Sequence, residues 1–203
     1  MNDYIHLFDG LVTIKIAGVE ALNEVVYRKF PWLRKAEFVE NDLKLHEARH
    51  FIDSFSKLPK NDNSITFYCH AKGVSRPVDE ALKYWVELLY RGNLETEPNL
   101  ESNLFSGCFG ILKVGSNEVC VPWHYGGSFY WFNTKKVVER FDSYKTHIPN
   151  QIWNRWFTEN FPGWMANENE AEFKLYSSKD HNISCYSIQF WRYHSELMKY
   201  LKV

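Results

Sequence analysis

The sequence has few cysteines, and they lie far apart. Cys69, Cys108, Cys120 and Cys185 form no Cys-x-x-Cys pair, so neither a zinc knuckle nor a disulfide framework is indicated. No run of about 18 apolar residues predicts a membrane-spanning helix. The first ten residues, MNDYIHLFDG, are polar and acidic, unlike a signal peptide. We therefore expect a soluble cytoplasmic protein in a reducing compartment.

An excess of charge of either sign is also missing. The 24 Lys and Arg residues are balanced by 25 Asp and Glu residues, which gives a formal net charge of −1. This balance argues against a general binder of nucleic acids or anionic membranes. No internal repeat, linker or low-complexity tract divides the 203 residues, so the sequence predicts a single domain over residues 1–203.

Aromatic residues, in contrast, are abundant, at 17% of the chain. Such rings can fill a hydrophobic core. They also stack on sugars and nucleobases, so their number fits a binding protein as well as a well-packed one.

In the first half of the chain, hydrophobic periodicity predicts strands and helices in alternation. Strands are expected at 11–17, 36–40 and 65–68, and helices at 22–30 and 43–58. This order is typical of an α/β fold with a parallel sheet and crossover helices.

The second half predicts further helices and strands. We expect a helix ending at Gly92, another at 98–105, strands at 107–113 and 128–132, and a helix capped by Asn133 or Thr134. A short helix should end before Phe161-Pro162-Gly163, and a terminal helix should span 187–202.

The segment ITFYCHAKGVSRP, residues 65–77, changes abruptly from a strand to a polar turn. His70, Lys72, Gly73 and Arg76 follow the strand directly, and ligands of open α/β sheets collect at the carboxyl ends of strands. Two cations and a glycine that allows close backbone approach predict an anionic ligand, most simply a phosphate. The alternative is a solvated loop with ordinary basic residues.

The segment HEARH, His46 to His50, matches the His-Glu-x-x-His pattern of zinc hydrolases, with Glu47 as the base. Asp53 and Ser56 stand where the extended form of that motif has glycine and a third histidine. The neighbouring apolar residues also place both imidazoles at the edge of the buried helix face. A zinc hydrolase is therefore the least favoured hypothesis.

Two further segments carry candidate site residues. In WHYGGSFYWF, residues 123–132, paired glycines allow a ligand or another backbone to approach closely, although a β-bulge before a buried aromatic strand explains them too. In RWFTENFPGW, residues 155–164, Glu159 lies between aromatic residues, where a carboxylate can act as a general base. An exposed Glu at a helix end is the alternative.

Together these blocks resemble a family of bacterial glycosyltransferase-like proteins. FYCHAKGV (67–74), KYWVELLY (83–90), GCFGI (107–111), WHYGGSFYWFN (123–133) and RWFTENFPGW (155–164) are similar, in order and spacing, to "FYAHTKGV", "RWTEMMY", "G.FR", "WHYSGTFFWFR" and "GVEAWPG" of that family. The resemblance implies a GT-A-like fold, which is Rossmann-like, with a mixed, mainly parallel sheet flanked by helices. It also implies transfer of a sugar (hexosyltransferase type) in glycan or surface polysaccharide assembly.

The resemblance also implies how the donor is bound. GT-A enzymes usually carry Asp-x-Asp where this chain has His70-Ala71-Lys72, and an imidazole and an ammonium are poor ligands for a hard cation. We therefore expect no metal cofactor. Lys72, helped by His70 and Arg76, would neutralise the leaving diphosphate, and Gly73 would complete the donor site.

On the acceptor side, the resemblance places the sugar site at WHYGGSFYWF, residues 123–132, and Glu159 becomes the candidate base for an inverting reaction. The residues expected to line the sugar site are His124, Tyr125, Gly126, Gly127 and Ser128, with Trp131 as a stacking platform.

One departure from the family concerns the amino terminus. Family members usually carry a strand and a helix ahead of the block that matches LFDGLVTIKIA, residues 7–17, and in GT-A folds that strand helps to hold the nucleotide. The shortened start leaves open a second hypothesis, a carbohydrate- or nucleotide-binding protein that retains the fold without catalysis.

Overall fold

A computed structural model describes residues 2–10, 12–17, 23–33, 35–40, 47–61, 63–70, 80–112, 121–147 and 157–177. These residues form a mixed α/β fold. Its strands are β1 (Thr13–Ala17), β2 (Lys35–Val39), β3 (Ile65–Tyr68), β4 (Phe105–Leu112), β5 (Trp123–Tyr125), β6 (Tyr130–Asn133) and β7 (Ala171–Ser177). Its α-helices are α1 (Asn23–Lys29), α2 (Glu47–Ser56), α3 (Glu80–Leu94), α4 (Thr134–Tyr144) and α5 (Phe157–Met165).

The predicted alternation of strands and helices from β1 to β3 is confirmed. β1 and β2 pair in parallel, from Thr13 opposite Lys35 to Ala17 opposite Val39, with α1 between them in the chain. They form a sheet of their own. Lys15 of β1 forms ion pairs with Glu37 of β2 and with Asp53 of α2, which links this small sheet to the helix that follows it.

The expectation of a mainly parallel sheet is wrong for the larger, five-stranded sheet. β3 pairs antiparallel with β6, and β6 pairs antiparallel with β4. β5 is also antiparallel to β4, and only the pairing of β4 with β7 is parallel. The error arose because an alternating order of elements predicts which segments are strands, whereas the partner of each strand depends on long-range packing.

β5 and β6 lie one after the other along the same edge of β4. β7 covers the other edge of β4 from Phe105 to Ile111, so β5 and β6 must share the remaining one. Tyr125 lies opposite Gly110, and Trp131 lies opposite Ser106. Five residues lie between Tyr125 and Trp131, but only three lie between Ser106 and Gly110 on β4. The glycine-rich segment therefore bulges out of the sheet.

Helices cover both faces of this sheet. On one face, α2, α4 and α5 pack on Tyr130 and Phe132 of β6 through a core dominated by aromatic rings. On the other face, α3 packs on Phe129 and Phe109, and the 3-10 helix at residues 2–7 is followed by Phe8, which covers Trp131. Alternate residues of β6 therefore enter opposite cores, as the pleat of a strand requires.

Helix ends were predicted with mixed success. Asn133 caps α4 as expected, and its side chain accepts a hydrogen bond from the Lys136 N–H at 3.0 Å. α3 continues beyond Gly92 to Leu94, and residues 98–104 are not helical. α5 continues through Pro162 and Gly163, and β7 was not predicted at all. The terminal helix expected at 187–202 lies outside the described residues.

Candidate functional site

His70 lies just beyond the carboxyl end of β3, as the sequence predicts for a ligand-binding residue. Its Nδ1 is 3.3 Å from Oε1 of Glu47, and the two side chains are 16% and 34% exposed. Glu47 lies in the first turn of α2, where the helix dipole stabilises a carboxylate. The contact thus joins the end of β3 to the start of α2, and it gives Glu47 a partner that the His-Glu-x-x-His motif does not predict.

Thr158 of α5 connects Glu47 to the glycine-rich segment. Its hydroxyl donates a hydrogen bond to Glu47 Oε1 at 3.4 Å and lies 3.3 Å from the Ser128 hydroxyl. Both hydroxyl-bearing residues are fully buried. Buried hydroxyls without partners are costly, so these contacts fix the spacing between the loop before β6 and the two helices.

Glu159 contacts the same loop through the backbone. The Gly127 N–H donates to Glu159 Oε1 at 3.2 Å. We call Glu47, His70, Ser128, Thr158 and Glu159 the Glu47–Glu159 cluster. It draws residues from α2, the end of β3, the loop after β5 and α5 to one end of the sheet.

The loop itself has unusual backbone geometry. Ser128 N–H donates to the Tyr125 carbonyl at 3.3 Å, which closes a four-residue turn, and Gly127 at its third position has φ 90°. A positive φ there is what type II turns require and what glycine accepts without strain. Ser128 has φ 55°, which among the described residues no other non-glycine residue shares. Such strained conformations occur most often at functional sites.

The partly buried Tyr68 and the fully buried Tyr130 lie close enough to carboxylates of the cluster for these charges to affect the pKa values of their phenols. Burial raises the pKa of Tyr68 above its ordinary range, and the charges of Glu47 and Glu159 raise it further. Burial likewise raises the pKa of Tyr130, with Tyr68 and Glu159 adding to the effect. Both phenols therefore stay protonated, and Tyr130 donates its proton to the Thr158 carbonyl at 3.0 Å.

The structure places the remaining acceptor-side residues mainly in the core. Tyr125 is fully buried, and its hydroxyl donates to the Glu172 carbonyl at 2.7 Å. His124 is 9% exposed, and a Cβ on Gly126 would lie 2.7 Å from the Phe109 ring. Gly126 is therefore explained by packing. The predicted contribution of these three residues to a sugar site stays a prediction.

Trp131 does not present an open ring for stacking on a sugar. It is 9% exposed, and Phe8 stacks on it with ring centroids 5.6 Å apart. Its indole N–H donates to the Asn93 carbonyl at 2.8 Å. Because a pleated strand sends adjacent side chains to opposite faces, Trp131 also lies on the other side of the sheet from Tyr130.

The other predicted donor-side residues, Lys72, Gly73 and Arg76, lie outside the described residues. So does His46 of the HEARH segment. His50 Nε2 lies 2.9 Å from the Glu40 carbonyl oxygen. Within the part of the chain that the structure describes, no group of three or more His, Cys, Asp and Glu side chains is placed to hold a metal ion.

Sequence reasoning missed Thr158, Tyr68 and the contact of Glu47 with His70. Thr158 adjoins the predicted Glu159, so a helix with Glu159 at its start would have placed both on the same turn. Tyr68 lies in the strand that ends at His70. No local sequence pattern predicts the contact of Glu47 with His70, because the two residues belong to different elements of the fold.

Comparison with protein families, curated proteins and solved structures finds no significant match. None of the helices in the described residues is long and apolar enough to cross a membrane. An open cavity of about 560 Å³ lies elsewhere, lined by Asn167, Glu168, Asn169 and Ala171. It includes no residue of the Glu47–Glu159 cluster, and the chemistry of its lining is that of an ordinary surface turn.

Proposed function

We propose that this protein is a glycosyltransferase on a GT-A-like fold that moves a sugar from a nucleotide-sugar donor to a hydroxyl acceptor without a divalent metal. One observation carries the proposal. His70, Ser128 and Glu159 come from three blocks that resemble the donor and acceptor sides of one family, and in the fold they belong to a single cluster at the carboxyl end of β3.

In the proposed reaction, an acceptor hydroxyl oxygen bonds to the anomeric carbon while the bond from that carbon to the diphosphate oxygen breaks. Glu159 takes the hydroxyl proton as general base. Lys72 and Arg76, with His70, neutralise the negative charge that develops on the diphosphate. The Gly127 N–H that binds Glu159 Oε1 supports this role, because it fixes the carboxylate beside the glycine-rich loop.

The first experiment is a thermal-shift screen against UDP, GDP, CMP and dTDP and their sugar conjugates, with EDTA and with manganese in parallel. A ligand at about a hundred times its dissociation constant stabilises the native state by about 2.7 kcal/mol. We expect one nucleotide to shift the transition in EDTA, and Lys72→Ala to abolish that shift. A Lys72→Ala protein that still binds the nucleotide as tightly would end the metal-free donor site.

The second experiment measures turnover of the donor identified in that screen, with sugar acceptors added. Glu159→Gln should lower the rate roughly 100-fold or more, because it removes the base. Glu168→Gln, at an exposed position away from the cluster, is the matched control and should retain full activity. Equal rates in both variants would remove Glu159 from catalysis.

A second candidate function is a carbohydrate- or nucleotide-binding protein without turnover. It is favoured by the contacts within the cluster, since the hydroxyls of Ser128 and Thr158 and one oxygen of each carboxylate already bond to protein groups. Binding of a nucleotide sugar or a glycan with no transfer and no donor hydrolysis would select this candidate.

A further inference from the structure

We infer that Glu47 is a positioning residue for His70: it holds the Nδ1 side of the imidazole and thereby presents Nε2 to a diphosphate at the carboxyl end of β3. The diphosphate part of this inference rests on the proposed function, whereas the orientation of the ring rests on the structure alone. Neither the zinc motif nor the resemblance assigns such a role to Glu47.

The chemistry of the contact determines which nitrogen carries a proton. An ionised carboxylate can only accept hydrogen bonds. Nδ1 lies 3.3 Å from Glu47 Oε1, so the contact is favourable only when Nδ1 bears a hydrogen. That condition excludes the neutral tautomer protonated at Nε2. A carboxylate that fixes an imidazole in this way is a recurring means of setting the tautomer and direction of a histidine.

The surroundings of both residues make the arrangement stable. Thr158 donates to the same Glu47 oxygen at 3.4 Å, so two groups hold that carboxylate. The ring of Phe129 meets the His70 ring edge-on, with centroids 6.3 Å apart and an interplanar angle of 89°. The imidazole is thus held from two sides, and only 16% of its side chain is exposed.

The direction of Nε2 follows from the ring geometry. The two nitrogens lie on different sides of the imidazole, so a ring whose Nδ1 faces Glu47 directs Nε2 away from α2. In the imidazolium form Nδ1–H serves Glu47 and Nε2–H remains for a phosphate oxygen. Charge-assisted bonds of this kind are the strong ones, which is how a fixed His70 would stabilise a diphosphate.

The first arm of the test does not depend on catalysis. Long-range ¹H–¹⁵N NMR spectra of the histidine side chains report which ring nitrogen is protonated, and His70→Gln assigns the signal. In its neutral form, the wild-type ring should be protonated at Nδ1. Glu47→Ala should shift His70 towards the Nε2–H form that predominates in water, whereas Glu97→Gln, at an exposed position, should not. A wild-type ring protonated at Nε2 overturns the inference, and so does a Glu47→Ala spectrum like that of the wild type.

The second arm uses inorganic pyrophosphate as the probe, with binding measured by calorimetry at about pH 6, where histidine is largely protonated. Wild-type protein should bind it, and His70→Gln and Glu47→Ala should each weaken binding roughly tenfold, the lower end of the effect that removing the hydrogen-bond partner of a metal-binding histidine has on metal affinity. Glu47→Gln retains an acceptor for Nδ1–H and should retain the Nδ1 tautomer, which separates positioning from a loss of folding.

The two arms separate the inference from the proposed function. A wild-type ring protonated at Nδ1 in a protein that does not bind pyrophosphate overturns the diphosphate site, and with it the donor side of the proposed function. Pyrophosphate binding that is unchanged in Glu47→Ala overturns the positioning role alone.

Discussion

Gly127 is the residue on which the shape of the glycine-rich loop depends most directly. It supplies the positive φ of 90° at the third position of the turn, and its N–H binds Glu159. A side chain at this φ is strained whatever space surrounds it, since the left-handed region costs an L-residue about 1–2 kcal/mol. Gly127 therefore links backbone conformation to the position of the candidate base.

We expect Gly127→Ala to lower the free energy of unfolding by about 1–2 kcal/mol. Urea denaturation followed by tryptophan fluorescence measures this change. Gly10→Ala is the matched control, because a Cβ at Gly10 meets no atom within 4 Å and its φ is not positive. Equal stability of the two variants would contradict the strain assigned to the turn.

At the scale of elements, α5 shows why a proline did not end a helix. Pro162 lacks the N–H that would bond to the carbonyl of Thr158, four residues earlier. The Tyr130 hydroxyl donates to that carbonyl instead, at 3.0 Å. Gly163 completes the fit, since a Cβ there would lie 2.0 Å from the Trp123 carbonyl oxygen. The Tyr130 hydroxyl of β6 thus replaces the hydrogen-bond donor that α5 lacks at Pro162.

This exchange of partners predicts energetic coupling between Tyr130 and Pro162. Tyr130→Phe leaves the Thr158 carbonyl buried without that donor and should cost about 1–3 kcal/mol. In a Pro162→Ala background the restored N–H of residue 162 can bond to the same carbonyl, so the cost should fall by about 1 kcal/mol. A double-mutant cycle of chemical denaturation measures the difference.

Tyr125→Phe is the control for that cycle. It removes a buried hydroxyl that donates to the Glu172 carbonyl, which Pro162 does not affect. Its cost should be the same in both backgrounds. If the cost of Tyr130→Phe is also unchanged by Pro162→Ala, the shared carbonyl does not explain why α5 tolerates proline.

Arg140 of α4 and Glu170, in the turn before β7, provide a link between elements that responds to pH. The guanidinium donates to both Glu170 oxygens, at 2.9 and 2.7 Å. This bond lowers the pKa of Glu170 from 4.5 to about 2. The stabilisation is therefore fully present above the unfolded-state pKa of 4.5 and is lost as pH falls towards about 2.

Glu170→Gln should accordingly destabilise the protein at neutral pH, and its deficit relative to wild type should shrink as pH falls from about 5 to about 2. Denaturation at a series of pH values measures both proteins. Glu168→Gln, at an exposed neighbour, should show no such convergence. A deficit that stays constant with pH would argue that packing, not the ion pair, sets the effect.

At the scale of the whole molecule, burial is unevenly distributed between the two sheets. Among the residues from 12 to 40 whose side-chain burial the structure describes, Leu33 alone is buried, at 5% exposure. By contrast, Phe105, Tyr130 and Phe132 of the five-stranded sheet are exposed by 1% or less. The larger sheet therefore holds the main hydrophobic core, and the β1–β2 sheet gains much less from burial.

We expect amide hydrogen exchange to follow this difference. Local opening requires less free energy where few apolar contacts are lost, so peptides from β1 and β2 should exchange much faster than peptides from β4 and β6. Exchange followed by mass spectrometry resolves the two regions. Equal protection of both sheets would show that the small sheet opens only with the rest of the molecule.

Local sequence patterns predicted much of the fold. β1, α1, β2, α2 and β3 lie within a few residues of their expected positions. Asn133 was found as a cap. Such features depend on the spacing of apolar residues and on hydrogen bonds between neighbours, which are visible in a short stretch of chain. β7 was within reach of the same reasoning, since Phe173 and Leu175 alternate with charged residues.

The sequence by itself therefore determined most of the segments that form helices and strands, although not β7, and it singled out His70, Ser128 and Glu159 as candidates. Only the tertiary structure decided that β3 pairs antiparallel with β6, that Trp131 enters the opposite core, and that Glu47 meets His70. Thr158 and Glu47 are 111 residues apart in the chain. No local pattern encodes such a contact, because it exists only after packing of α2 and α5 on the same face of the sheet has brought both side chains together.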